Sequence, residues 1–436
     1  MKYLKRIAAL LLSAVMLSGC TILSSGDDLL QTPRASKSYL LLEQKLVGLG
    51  ENMTPISPQS GQYRNTVIFE DLNGDGEDEA IAFMRQGAGG QIFVYIFQLA
   101  DDAYEQIGCI TGQGTAIGSL SFLSFSKDGR NKGMILTWTL SNSVEHGMTV
   151  CGMKDGQMQG LTELEYTDYT TCDLDGDDAD ELLALNYSDN ARKCAQLYDY
   201  QEGKMVLQSQ ADATQDVQSI ANITTGQLES GEMAVFVDNK FEKDNGMQTD
   251  IYAVTGKTLD NLALTSGAST YRPVSMYYSD DVDGDGMVEI PQLWAMKGYE
   301  KAPQQEIQWE IDWYQYSLDP DKERFRAFTT YSSLSEEWSL IFPTNWRGHV
   351  TVTTTGDSDV SQTIFSDAKT SEVLVTIYVF GGADRQTASK AGDLITLGLS
   401  SSNCYSAKIN SNAESELAIG ETRIRRNFSI VQKEWY

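Results

Sequence analysis

Asp71-Leu72-Asn73-Gly74-Asp75-Gly76-Glu77-Asp78-Glu79 decides how this chain reads, because the sequence returns to the same pattern twice. The second copy is Asp173-Leu174-Asp175-Gly176-Asp177-Asp178-Ala179-Asp180-Glu181; the third is Asp281-Val282-Asp283-Gly284-Asp285-Gly286-Met287-Val288-Glu289. Side-chain oxygens fall at the first, third, fifth and ninth positions: Asp71, Asn73, Asp75 and Glu79, then Asp173, Asp175, Asp177 and Glu181, then Asp281, Asp283, Asp285 and Glu289. Calcium takes roughly six to eight oxygen ligands at 2.3–2.6 Å, and carboxylates or amides at alternate loop positions turn their oxygens inward. The seventh position adds a backbone carbonyl, and glycine at the sixth permits the sharp turn. The second copy departs there, with Asp178 in place of Gly76 and Gly286. An alternative needs no ion: Asp and Gly form side-chain-capped turns that close hairpins.

An EF-hand loop begins the same way but needs a bidentate Glu at its twelfth position and helices on both sides. The twelfth residues here are Ala82, Ala184 and Gln292, and the residues after each loop are strand-like, as in Ala80-Ile81-Ala82-Phe83-Met84. A loop of this kind leading into a strand resembles the FG-GAP repeat, also called the VCBS or integrin-alpha type. That resemblance implies a β-propeller with calcium held in the loop between strands.

Each motif opens a β-meander. The first runs through strands near 80–84, 91–99 and 104–110, the second through 182–187, 193–200 and 205–208, and the third through 307–316 and 325–330, with turn residues between them. Motif starts about 100 residues apart leave room in each gap for one unmarked blade of roughly 40–50 residues. Ser126–Gly133 before Met134–Leu140, and Thr225–Gly231 before Glu232–Val237, supply those blades with few carboxylates, so both are expected to be metal-free turns. The fold class expected is mainly β: a β-propeller of about five FG-GAP-like blades over 61–331, then a small α+β domain over 332–436. In that last region strands are expected at 350–354, 361–365 and 373–380, and helices at 386–397 and 419–428.

The chain start carries an address. Lys2, Lys5 and Arg6 precede a short apolar run, Ile7 to Leu17, closed by Leu17-Ser18-Gly19-Cys20. The run is too short to span a bilayer, which takes about 20 apolar residues. It has the form of a signal segment over 1–20, and its end resembles the bacterial lipobox, which implies lipidation of Cys20. A protein held at the extracytoplasmic face of a bacterial membrane by its lipid anchor is expected, with 21–60 a tether and one short helix from Ser36 to Val47 against the propeller edge. The other cysteines, Cys109, Cys151, Cys172, Cys194 and Cys404, are odd in number and lack zinc spacing.

Composition narrows the chemistry. With 61 Asp and Glu against 33 Lys and Arg, the formal net charge is -28. Nucleic acid is therefore not expected as a partner, since phosphate binding needs clustered bases. His146 and His349, the only two histidines, sit far apart without a metal motif and read as strand-surface residues. There is no nucleophile elbow and no phosphate loop. Gln308 to Tyr316 sets Trp309, Ile311 and Trp313 on one face of a strand and Glu310, Asp312, Tyr314 and Tyr316 on the other. Glu310 and Asp312 are the acid pair for an alternative reading as a polysaccharide-binding protein or glycan-active enzyme; the plainer reading has the acids facing solvent. The reading preferred from sequence is a non-catalytic, membrane-anchored scaffold stabilised by calcium, with a protein or glycan partner on the propeller face.

Overall fold

The computed structural model describes residues 37–140, 146–188, 191–241, 245–265, 269–319 and 324–431. Residues 1–36, with the expected signal segment, Cys20 and the first part of the tether, lie outside them. The described residues are mainly β, arranged as consecutive antiparallel meanders. Meander I comprises Val67–Glu70, Glu79–Gln86, Ile92–Ala100 and Ala103–Thr111, with the short strand Met53–Pro55 beside Glu79–Gln86. Meander II comprises Ala116–Ser124, Lys132–Thr139, His146–Lys154 and Gln157–Tyr166. A single parallel bridge, Gly108 to Met158, joins the two. Meander III comprises Asp168–Cys172, Glu181–Asn186, Cys194–Gln201 and Lys204–Asp212, and meander IV Val217–Gln227, Met233–Phe241, Met247–Thr255 and Thr258–Asn261. Meander V has Ile290–Ala295, Trp309–Tyr316 and Arg324–Ser333, and an isolated Asp280–Glu289 bridge stands where the others have a first strand.

The turns explain the meanders. Asp101-Asp102, Asp155-Gly156 and Glu202-Gly203 all have positive φ, the conformation two-residue hairpins of the tight, right-twisting type require. The inner strands Glu79–Gln86, Lys132–Thr139, Glu181–Asn186 and Met233–Phe241 are close to fully buried on both faces, as a stack of sheets demands, whereas the outer strands Ala103–Thr111, Gln157–Tyr166 and Lys204–Asp212 mix buried with exposed polar residues. In meander I, Ile81, Phe83, Val94 and Ile96 pack toward Leu136 and Trp138 of meander II. Further apolar clusters join II to III (Ile135, Val150, Leu182), III to IV (Leu183, Leu197, Val235) and IV to V (Phe236, Ile251, Ile290). None of these clusters contains residues of both I and V. The outer face of meander I, Ala80, Ala82 and Phe97, is instead covered by helix α1 (Lys37–Val47) through Leu42. The helix was expected against the propeller edge; it packs on the apolar face that meander I leaves open.

Beyond residue 332 the sheet does not stop. Trp338–Ile341 pairs with Arg324–Ser333, and Phe428–Ile430 pairs with Trp338–Ile341. A separate five-stranded sheet holds Val350–Gly356, Val360–Asp367, Val373–Phe380, Ile395–Leu399 and Cys404–Ile409. Trp338, Trp346, Phe365 and Tyr405 form its core together with Met296 and Tyr331 of meander V. The helix expected over 386–397 is limited to Arg385–Ala388, because Gly392 turns the chain at φ 65° and the residues from Ile395 onward join a sheet. The helix expected near 419–428 is present at Glu421–Asn427.

Candidate metal centres

Each acidic motif links the first and second strands of its meander, and its last residue is fixed by pairing. Glu70 faces Glu79, Cys172 faces Glu181 and Asp280 faces Glu289 across the ladder. Within the loop the backbone is held by the acids themselves. Asp71 accepts the N–H groups of Gly74 (2.7 Å) and Gly76 (3.0 Å), Asp173 those of Gly176 (2.7 Å) and Asp178 (2.9 Å), and Asp281 those of Gly284 (2.7 Å) and Gly286 (2.9 Å). Asp75, Asp177 and Asp285 accept the N–H two residues on. Glu79, Glu181 and Glu289 reach back to the N–H groups of Leu72, Leu174 and Val282 at 2.7–2.9 Å. The substituted sixth position keeps this geometry: Asp178 adopts φ 69°, in the region of Gly76 (89°) and Gly286 (90°).

The three closing glutamates are fully buried and none has a basic partner among the described residues. Burial, then the repulsion of neighbouring aspartates, pushes Glu79 and Glu289 up to about 7 and Glu181 to about 8. Asp175 and Asp283 are raised too, by burial first and by Asp177 and Asp285 second. In the second loop Asp173, Asp175 and Glu181 bring carboxylate oxygens within 4.8 Å of one another, and Glu181 Oε1 is buried with no hydrogen-bond partner. Asp281, Asp283 and Asp285 converge equally in the third. In the first, the Asn73 amide nitrogen donates to Glu79 at 2.9 Å. The donor sets are all oxygen and surplus in negative charge, so they fit a hard divalent cation. The second loop, whose sixth residue departs from the motif, converges like the third and holds the unpartnered oxygen, whereas Asp71, Asp75 and Glu79 of the first do not come together to this distance. Sequence reading missed Gln315, which donates to Glu289 Oε1 at 2.5 Å from the adjacent strand, because only the fold brings it there.

The loops also touch the neighbouring meander. Lys132 N–H donates to the Leu72 carbonyl, Ser124 N–H to Asp180 Oδ2, and Gln227 exchanges backbone hydrogen bonds with Gly286 and Val288. Ser126–Gly133 and the Leu228–Glu232 turn carry no acidic cluster among the described residues.

Glu310 and Asp312 do not face solvent. Asp312 is fully buried and takes Arg347 Nε at 2.9 Å and Nη2 at 2.6 Å, with the Thr329 hydroxyl at 2.7 Å; Glu310 accepts the Gly348 N–H at 2.8 Å. The pair fastens meander V to the turn before the last sheet. Trp309, Ile311 and Trp313 are packed, the latter two fully buried, as read from the strand alternation. His146 opens its strand, exposed; His349 is also exposed but sits in a turn, held by its own N–H on the Trp346 carbonyl. The five described cysteines are free, Cys151 and Cys404 buried.

No protein-family model and no curated protein matches this chain. Among solved structures, an exotype rhamnogalacturonan lyase, YesX, is similar at 12% identity over 74% of this chain and 73% of that one, with a TM-score of 0.26. A second rhamnogalacturonan lyase, YesW, shows 14% identity over 74% of this chain and 62% of that one, TM-score 0.30. Saccharomyces cerevisiae Sqt1 gives 11% identity, 74% and 88% coverage and a TM-score of 0.28. Scores at this level fix neither topology nor activity. Among the described residues no helix is long and apolar enough to cross a membrane.

Proposed function

We infer that this chain is a non-catalytic scaffold of five propeller-type blades whose acidic loops hold calcium, anchored to the extracytoplasmic face of a bacterial membrane through Cys20. The observation that carries it is the threefold recurrence of one hydrogen-bonded loop ending on a buried glutamate without a cationic partner. Residues at positions one, three, five and nine of each loop would hold the ion. When bound, calcium supplies the charge that these carboxylates lack, and because it binds only the folded loop it adds to stability. Since α1 covers the outer face of meander I and the last region adjoins meander V, the blades form an open array with both ends covered. Such an array presents its connecting loops to a protein or glycan partner. The glycan-active alternative would need acids other than Glu310 and Asp312, which hold the fold together.

The test is a melting curve of the full chain in excess EDTA and in a few millimolar calcium or magnesium. Calcium should raise Tm where magnesium does not, and Asp75→Ala and Asp285→Ala should each blunt the rise. An unchanged Tm in all three conditions sinks the metal sites. Radiolabelled palmitate incorporated into the parent and absent from Cys20→Ser would support the anchor, and equal labelling would remove it.

A further inference from the structure

The chain's charge is inverted at one place. A depression of about 470 Å³ lies where meander V meets the last region, and its walls include Arg326, Arg347, Arg423 and Arg426 but no Asp, Glu or Lys. In a chain with 61 acidic and 33 basic residues this is a local reversal of the overall balance. The four arginines come from three separate elements. Arg326 is on strand Arg324–Ser333, Arg347 is in the turn that precedes Val350–Gly356, and Arg423 and Arg426 lie three residues apart on helix Glu421–Asn427. Three-residue spacing puts that last pair on one helix face. The helix is fixed against the depression by buried Ile424 and by Asn427 Nδ2, which donates to the Ile341 carbonyl at 2.8 Å.

Internal carboxylates account for only part of this charge. Arg347 grips Asp312, and Arg326 Nη1 stands 3.9 Å from the same carboxylate. Glu310, behind them, accepts a backbone N–H. Arg423 has no side-chain partner among the described residues, and Arg426 has only the Asn427 amide oxygen at 3.4 Å. Arg425, which is not among the lining residues, is answered by Glu421. Guanidinium groups are planar donors that match carboxylate and phosphate oxygens in pairs, and a surplus of them around one concavity is what such an anion selects. We propose that this depression is a binding site for an oxyanion, a carboxylate or a phosphoryl group carried by a ligand, with Arg423 and Arg426 as its principal donors and Arg326 as a third.

The experiment is titration calorimetry of the full chain at low ionic strength with sulfate, a tetrahedral dianion, and with succinate, a dicarboxylate. Both chelate calcium weakly, so failure of the acidic loops and failure of this site remain distinct. Saturable binding of either is expected, weakened roughly tenfold or more in the double variant Arg423→Gln/Arg426→Gln. Both side chains are exposed and outside the core, so the variant should keep the parent's Tm. Stronger binding of sulfate assigns a phosphoryl-type ligand, and stronger binding of succinate a carboxylate. No saturable binding of either anion, or equal binding by parent and variant, overturns the proposal.

Discussion

At the scale of single residues, the buried glutamates set the terms. Without calcium, Glu79 and Glu289 hold a proton up to about pH 7 and Glu181 to about 8, against an ordinary value of 4.5 that the unfolded chain retains. Between those values the folded state binds more protons than the unfolded one, so its stability is complete below pH 4.5 and declines as pH rises toward 7–8. The slope is at most about 1.4 kcal/mol per pH unit for each glutamate. Calcium, if bound as proposed, would take the proton's place and should flatten that decline. Glu181→Gln tests one site with opposite signs. In EDTA at about pH 8 the neutral amide should melt at or above the parent, while the calcium-induced gain shrinks by roughly a third if the three loops contribute alike. A variant that melts well below the parent in EDTA would show that the charge of Glu181 is already compensated. Arg347 poses the reverse case. Its removal leaves Asp312 charged and 0% exposed, a loss of about 3–5 kcal/mol for a fully buried pair; with Arg347 36% exposed, about 2–3 kcal/mol is expected for Arg347→Ala in urea unfolding.

Loops and strands were legible in the sequence to different depths. Apolar runs bounded by turn residues placed three strands each of meanders I and III and the two later strands of V nearly in position, because turn chemistry is local, but only one strand each of II and IV, Lys132–Thr139 and Met233–Phe241. Residues 386–397 read as a helix because Gln386, Lys390 and Ala391 carry no strand signal, although Ile395–Leu399 turns back onto Cys404–Ile409 only four residues later. The pairing of Asp312 with Arg347, 35 residues away, left no trace in spacing either. In the acidic loops the alternating oxygen-bearing positions were visible, but the use of both oxygens of Asp71 on backbone amides was not. Asp178 decides how tolerant that loop is. Its left-handed φ of 69° costs about 1 kcal/mol relative to glycine, and Asp is among the residues that bear it best. Its ion pair with Lys127 is solvent-exposed and offsets little of that cost. Asp178→Gly should therefore raise stability by up to about 1 kcal/mol and leave the calcium response intact. A loss above about 1 kcal/mol in denaturant titration would show that the aspartate has a further role.

Across the molecule, carboxylates occur at every joint. The first acidic loop meets meander II at Lys132, the second meets it at Ser124, and the third meets meander IV at Gln227. Where III meets IV there is no such loop; instead Asp250, fully buried, accepts the Thr214 hydroxyl at 2.7 Å, Asn239 Nδ2 at 2.9 Å and the Tyr187 hydroxyl at 3.3 Å. Asp312 and Glu310 serve the joint between V and the last sheet. Apolar clusters follow the same order, each shared by consecutive meanders. An array of this kind approximates a one-dimensional stack, in which stability is a sum of unit and nearest-neighbour terms and a defect weakens its own joint before distant ones. Asp71→Ala removes the acceptor for the Gly74 and Gly76 amides and one proposed ligand of the first loop. In hydrogen exchange with calcium present, protection should fall over 67–139 and stay at the parent's level over 290–333. Loss of protection spread evenly along the chain would mean that the meanders unfold as one unit, and that the buried carboxylates couple the joints more strongly than neighbour contacts alone allow.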